Sequence, residues 1–462
     1  MPIDPSRLDA VVKAYDIRGT VPDQIDAELV EAIGAAFAAF ALAEGGPCER
    51  VLVAHDMRPT GPELAEAFAR GVTGQGVDVV HLGLCSTDEL FFAAGHLDAP
   101  AAQLTASHNP AQYNGIKLCL AGARPVGEDS GLDDIKAMAA KGAEPASTAG
   151  STSRQDVLGD FVAHVHSFVD LGALAPLTLV ADTANGMGGL VAPAVFEGLP
   201  FDLDVLYGEL DGTFPNHPAD PIQPENLRDL QARVLETGAD VGLAFDGDAD
   251  RVFLVDDQGE LVSGSTTTAL VAIEMLRAHP GSTILHNLIC SRAVPEVVRE
   301  HGGTPVRTRV GHSLIKKVMA ETGASFGGEH SGHYYFRDNF RADSGIIAAM
   351  VVLQAISTSG TPLSQLRLPV ERYAASGEIN TRVGDVHAVI DEVATSYADR
   401  DQDRLDGLTV DGGDWWFNLR PSNTEPLLRL NVEAPDPQAC SARVDEVRQL
   451  ITAADAALTE EG

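Results

Sequence analysis

Cysteine is scarce in this chain: five in 462 residues, at positions 48, 85, 119, 290 and 440. The count is odd, the spacing is wide, and no two form a Cys-x-x-Cys pair. That excludes a disulfide framework and fits reduced thiols in a cytoplasmic protein. Positive charge is scarce too, with 32 Lys and Arg against 67 Asp and Glu, a net charge of -35. Such a field repels nucleic-acid backbones and anionic lipid, so neither is an expected partner. An anionic small molecule would need a local basic pocket, which makes every Lys or Arg beside a motif informative. Long apolar runs are also missing. The most apolar stretch, Ile33 to Leu42, is short, Ala-rich and flanked by Glu31 and Glu44, so it predicts a packed helix and not a membrane span. No basic segment followed by an apolar core opens the chain, and no signal peptide is expected.

The 45 Gly, 26 Pro and 44% hydrophobic residues describe a loop-rich globular protein, and the length calls for three or four domains. Apolar strand patterns alternate with helical ones up to about Leu368, which predicts α/β units with largely parallel sheets. Ala143 to Ser153 is small, polar and turn-rich, the best linker candidate. After Leu368 short strands cluster at Gly407 to Val410, Trp415 to Leu419 and Leu427 to Val432, as expected of a small α+β domain with an antiparallel sheet.

Four polar loops carry the chemistry. Thr105-Ala106-Ser107-His108-Asn109-Pro110 follows the apolar run Ala101 to Leu104, which reads as a buried strand stopped by proline. A serine at the mouth of a strand presents its hydroxyl to a cleft, although a Ser/Asn turn capping local backbone gives the same pattern. Asp246-Gly247-Asp248-Ala249-Asp250-Arg251 follows the apolar strand Val241 to Phe245. Carboxylates at alternate positions on a Gly-opened turn converge on a hard cation, because three adjacent acids repel unless one offsets them. An EF-hand is ruled out, since Arg251 stands where its Gly belongs and Asp257 where its Glu belongs; a phosphatase-type aspartate pair stays open. Gly328-Glu329-His330-Ser331-Gly332-His333 lacks the HExxH spacing of zinc enzymes and suits a reader of vicinal sugar hydroxyls. Arg420-Pro421-Ser422-Asn423-Thr424, between two strands, offers the donors a phosphate dianion needs, or forms a polar hairpin turn.

In this order and at these intervals the loops resemble those of the α-D-phosphohexomutase superfamily, in particular bacterial phosphomannomutase/phosphoglucomutase, over essentially the whole chain. The resemblance implies four domains around a central cleft, three with related α/β cores and mixed sheets and a smaller α+β C-terminal one. Their expected bounds are 1–150, 151–258, 259–368 and 369–462. It implies a phosphoserine at Ser107, and Mg²⁺ held by Asp246, Asp248 and Asp250 with a phosphoserine oxygen. It also implies an assisting role for Arg251, proton transfer by Lys117 with His108 close by, and sugar reading by Glu329 and Ser331 with His312 and His333. Arg420, Ser422, Asn423 and Thr424 would bind the distal phosphate, and Tyr15 and Arg18, in KAYDIRG, would line the same cleft. A hexose 1,6-bisphosphate would be intermediate and activator, and a monomer or homodimer is expected.

Two stretches depart from the family pattern. Near relatives carry a Lys where Ile289 stands, with Arg292 or Arg309 as replacements for its charge. Cys85 to Glu89 lacks the usual Thr-Pro. Mannose phosphate is the expected substrate, with glucose phosphate second, because a loop reading the 3- and 4-hydroxyls separates C2 epimers poorly. Phosphoglucosamine mutase ranks lower, its sugar loop having Gln where His330 stands. A metal-dependent sugar phosphatase is the alternative reaction.

Overall fold

The computed structural model describes residues 2–44, 48–422 and 427–461. Four sheets divide the chain. The first runs in the order Ile17–Thr20, Tyr113–Leu120, Ala101–Leu104, Arg50–His55, Asp78–Leu84, Thr152–Arg154. Its last strand lies past residue 150, beyond the expected end of the first domain and inside the expected linker. The second has the order Leu261–Val262, Val252–Asp256, Val241–Phe245, Leu177–Asp182, Phe201–Leu206, and the third Thr304–Thr308, Thr283–Asn287, Phe326–Gly328, Tyr334–Phe336. The fourth is antiparallel throughout: Ala374–Arg382, Leu427–Ala434, Trp416–Pro421, Leu408–Asp411, Asp401–Asp403.

One connection recurs in the first three sheets. A buried strand pairs in parallel with its inner neighbour, the chain makes a short polar loop, and the next strand returns antiparallel beside it. Ala101–Leu104 and Tyr113–Leu120 make this crossing in the first sheet, Val241–Phe245 and Val252–Asp256 in the second, and Phe326–Gly328 and Tyr334–Phe336 in the third. Each loop therefore emerges from the carboxyl end of a parallel strand, where open α/β sheets bind ligands. These are the Ser107, Asp246 and Glu329 loops.

The cores explain what is rigid. The second and third α/β units share one apolar cluster, from Phe161 through Leu243 and Ile284 to Val370. The first and the C-terminal units each have their own. The C-terminal unit meets the third largely through ion pairs, Arg292 with Asp411 at 3.2 Å and Arg307 with Asp403. Partly exposed pairs of this kind contribute little each.

In the first unit the expected helix spans Ala27–Glu44 and crosses Gly61–Gly74 backbone to backbone. A Cβ on Gly34 would stand 2.3 Å from Phe68 O, and one on Gly71 2.0 Å from Glu31 O, so the crossing needs both glycines. Gly71→Ala should lower stability by about 1–3 kcal/mol. Gly74→Ala, three residues on, meets nothing within 4 Å and should leave the melting temperature unchanged or higher. Thermal melts of the two variants test the crossing.

Candidate active site

Ser107 sits in the turn of the first crossing with φ 49°, a left-handed conformation that costs a non-glycine residue roughly 1–2 kcal/mol. Arg58 holds it there. This fully buried guanidinium donates to four carbonyls of the loop: Ser107 at 2.8 Å, Asn109 at 2.6 Å, Pro110 at 2.9 Å and Tyr113 at 2.8 Å. Its Nε lies 3.2 Å from Asp56, which also accepts from Thr105 Oγ1 at 2.7 Å, and that hydroxyl accepts the Ser107 N–H at 2.9 Å. The face of Phe214 covers the guanidinium at 5.2 Å.

The Asp246 loop approaches from the second sheet so closely that a Cβ on Gly247 would lie 2.4 Å from Ser107 O. Only glycine fits there. Ser107 Oγ donates to Asp246 Oδ2 at 2.8 Å, so the two loops meet at the hydroxyl. Asp246, Asp248 and Asp250 are buried, each with an oxygen within 4.8 Å of the others. Two cations offset their charge. Lys117 Nζ lies 2.8 Å from Asp248 and 2.6 Å from Asp250, and Arg251 Nε donates to Asp246 at 2.9 Å. Thr87 Oγ1 donates to Asp248 at 2.5 Å, which gives the unusual Cys85 to Glu89 stretch a place at the site.

The charges are unevenly shared. Burial pushes Asp246 up to about 7, with Asp250 and Asp248 adding to the rise and Arg251 opposing it. Burial acts the same way on Asp248, but Lys117 outweighs it and holds that carboxyl below its ordinary value. Lys117 is in turn held above the usual lysine range by the two carboxylates, against burial. His108 is pushed well below the usual imidazole range by burial, then by Arg251 and Arg18. As a neutral ring it accepts from Arg251 Nη2 at 2.7 Å through Nδ1, which lies 3.2 Å from Ser107 Oγ.

The donor set fits a hard divalent cation. Oδ1 of Asp248 and Oδ1 of Asp250 are buried with no hydrogen-bond partner, a costly condition unless a cation completes them. The ammonium of Lys117 reaches the other oxygens, Oδ2 of both.

Glu329, at the third crossing, is buried and fixed by Tyr335 Oη at 2.7 Å and by Asn287 Nδ2 and Gly311 N at 3.3 Å each. Ser331 lies half-buried on the same turn, and His333 donates or accepts through Nδ1 at 2.8 Å from Asp343. His312 opens the helix His312–Thr322, but its side chain lies outside the described residues. Tyr15 reaches this region, since a Cβ on Gly311 would stand 2.7 Å from its hydroxyl. Arg18, on the first sheet's edge, donates to Asn109 Oδ1 at 2.5 Å and pairs with Asp16. It therefore stands beside the Ser107 loop.

In the last sheet Arg420 and Arg429 face each other across neighbouring strands. Like charges so placed repel. Glu378 offsets them, 2.9 Å from Arg420 and 3.4 Å from Arg429, while Nε of both arginines remains buried without a hydrogen-bond partner. Arg429 Nη2 also donates to Ser422 Oγ at 3.4 Å. Asn423 and Thr424 lie outside the described residues. Of the two cations weighed against Ile289, Arg292 is engaged by Asp411 and the Gly413 carbonyl, whereas Arg309 is exposed near Tyr15.

Arg58, Thr87, Glu378 and Arg429 did not stand out in the sequence. Arg58 had one legible signal, an acid two residues before it directly after the apolar strand Arg50–His55.

A serine over three buried carboxylates, a buried glutamate at the third crossing and two facing arginines are thus carried on four domains, and comparison with known proteins makes the chain a phosphohexomutase. Family models for phosphoglucomutase/phosphomannomutase α/β/α domains I, II and III match residues 9–146, 159–259 and 263–373, and that for the C-terminal domain matches 378–450. Among curated relatives, the phosphohexose mutases of Xanthomonas campestris pv. campestris are 41% identical, over 95% of this chain and 98% of theirs. A phosphomannomutase of Salmonella montevideo is 38% identical over 95% and 98%. The crystal structure of a phosphoglucomutase/phosphomannomutase family protein from Burkholderia thailandensis superposes with a TM-score of 0.87 at 33% identity, covering 98% of each chain. The chain belongs to the phosphoglucomutase/phosphomannomutase family.

Mg²⁺ bound only by the folded site should raise the melting temperature. At a hundred times its dissociation constant the gain is about 2.7 kcal/mol. Asp248→Asn should remove that shift, which calorimetry with and without Mg²⁺ would read.

Proposed function

We propose that the protein interconverts mannose 1-phosphate and mannose 6-phosphate, and the corresponding glucose phosphates as second substrates, through a phosphoserine at Ser107. One observation carries the reading: Ser107 Oγ lies 2.8 Å from Asp246, where the loops of the first two sheets meet over a three-carboxylate site. Phosphoryl transfer needs positioning and spread negative charge held by cations, with little other covalent chemistry from the protein. Mg²⁺, held by Asp246, Asp248 and Asp250, would supply charge stabilisation at the transferring group.

The bond from phosphorus to Ser107 Oγ breaks as one forms to the free hydroxyl of the sugar. That hydroxyl loses its proton and the serine oxygen gains one. Lys117, held protonated by Asp248 and Asp250 against burial, is the group we assign to the proton movement. Arg251 and neutral His108 flank the serine oxygen. The resulting hexose 1,6-bisphosphate turns end for end and returns its other phosphate to Ser107. Arg420, with Ser422 and the neighbouring Asn423 and Thr424, suits either phosphate, because guanidinium and hydroxyl donors recognise the dianion and not the sugar. Glu329 and Ser331 would take sugar hydroxyls, supported by Tyr15 and His333 nearby, with Arg18 beside the Ser107 loop and His312 opening the adjacent helix as further candidates. No helix among the described residues is long and apolar enough to cross a membrane.

In a Mg²⁺-dependent assay with catalytic hexose 1,6-bisphosphate, both 1-phosphates should be converted to 6-phosphates. Their kcat/KM values should lie within roughly tenfold of each other, because a loop reading the 3- and 4-hydroxyls separates C2 epimers poorly. Ser107→Ala should lower the rate by about three orders of magnitude or more. Release of free phosphate in place of the 6-phosphate would favour a phosphatase.

A further inference from the structure

One chain of buried groups, Lys316 and Asp343, leads to His333 at the edge of the site. His333 Nδ1 lies 2.8 Å from Asp343 Oδ2, and Asp343 Oδ1 lies 2.9 Å from Lys316 Nζ. Asp343 and Lys316 are buried, their side chains 4% and 2% exposed, while the His333 side chain keeps 21% exposure at the cleft. The ammonium also lies 4.2 Å from the centre of the Phe91 ring, from the first unit, and 5.7 Å from that of Tyr335. Tyr335 is the residue that fixes Glu329. Ser344, next to Asp343, caps the helix Gly345–Ser359 and donates to Asp88 of the first unit at 2.6 Å, so Asp343 stands on a braced backbone.

We propose that Asp343, braced by Lys316, is a positioning residue that fixes the tautomer and orientation of His333 so that Nε2 faces the bound sugar phosphate. The inference rests on the mutase reading for its function, though not for its geometry. His333 Nδ1 faces two acceptors, Asp343 at 2.8 Å and Asp250 Oδ1 at 3.9 Å, the latter buried without a hydrogen-bond partner. A proton on Nδ1 is donated to Asp343, whereas a lone pair there would oppose both carboxylates. Nε2 then presents its lone pair to a substrate hydroxyl, the arrangement a buried carboxylate gives the histidine of a catalytic triad. Asp250, His333 and Asp343 also have ligand atoms within 4.8 Å of one another, as a metal trio would. Lys316 already neutralises Asp343, which makes the positioning role the better account of these three.

Lys316 also dictates what a single substitution does. In Asp343→Asn the amide oxygen is drawn to the ammonium, which turns the NH₂ toward His333 and forces Nδ1 to accept. The tautomer flips without any change of volume. Asp343→Glu keeps an acceptor for Nδ1 and a charge for Lys316.

The test uses the full-length protein with Mg²⁺ at one fixed pH, reading ¹⁵N spectra of ¹⁵N-histidine-labelled protein alongside mutase kinetics. Wild type should show the His333 proton on Nδ1, and Asp343→Asn should show it on Nε2. Loss of a supporting carboxylate of this kind typically costs 10–100-fold, so kcat should fall by about that factor in Asp343→Asn while KM changes by less than about threefold. Asp343→Glu should keep the wild-type tautomer and recover most of kcat. A proton on Nε2 with none on Nδ1 in wild type overturns the proposal, as does a folded Asp343→Asn with unchanged kcat. Should Asp343→Asn fail to fold, Asp343→Glu decides alone: a flipped tautomer or a kcat loss beyond tenfold overturns it. An inactive wild type whose Nδ1 carries the proton would sink the mutase reading and leave the positioning geometry standing.

Discussion

Three carboxylates converge in a space from which water is excluded, and their mutual repulsion is the constraint the site is built around. Asp246, Asp248 and Asp250 cannot share that volume as anions without positive charge beside them. Lys117 comes from the first sheet's returning strand, Arg251 from the end of the aspartate loop, and one oxygen each of Asp248 and Asp250 has no hydrogen-bond partner, which suits a divalent ion. The electrostatics also tie two domains together. Lys117 and Thr87 of the first unit both bond Asp248 of the second, and Ser107 bonds Asp246. Removing Lys117 or Arg251 would leave a buried carboxylate uncompensated, which costs more than the lost contact itself.

The placement of that charge follows from one repeated crossing. A parallel strand ending in a polar loop and a returning antiparallel strand occur in each of the first three units, and each loop carries a different function. Ser107, the three aspartates and Glu329 thus occupy equivalent positions in equivalent units, as the proposed division into nucleophile, cation ligands and sugar reader requires. The fourth unit breaks the pattern with an antiparallel sheet and its own core, and it meets the third across a largely polar interface. An interface of that kind permits relative motion, which suits a clamp that must engage one phosphate of the bisphosphate and then the other.

Most of the site was legible in the sequence because its loops are contiguous. Ser107, the three aspartates, Arg251 and Glu329 each stand in a short run whose composition is hard to explain by packing. Residues that act across long separations were not. Arg58 reaches carbonyls some fifty positions away, Lys316 meets the Phe91 ring of another unit, and Arg429 gains meaning only from the register that sets it opposite Arg420. The strand Thr152–Arg154 was hidden for another reason: it is exposed throughout, so burial left no alternation in it, and its turn-rich surroundings read as linker. Ile289 remains the departure with least compensation, since Arg292 is spent on Asp411 and the Gly413 carbonyl and only the exposed Arg309 is left beside the cleft.

The central claim is that the buried hydroxyl of Ser107 passes a phosphoryl group to sugar and not to water. A phosphate-transfer chase tests it most directly. Protein labelled with radioactive phosphate from hexose 1,6-bisphosphate is freed of excess label and mixed with unlabelled mannose 1-phosphate and Mg²⁺. The account predicts label on Ser107 before the chase, then in hexose bisphosphate and hexose 6-phosphate after it, with no labelling of Ser107→Ala. Label recovered as free phosphate, or retained by Ser107→Ala, would contradict it.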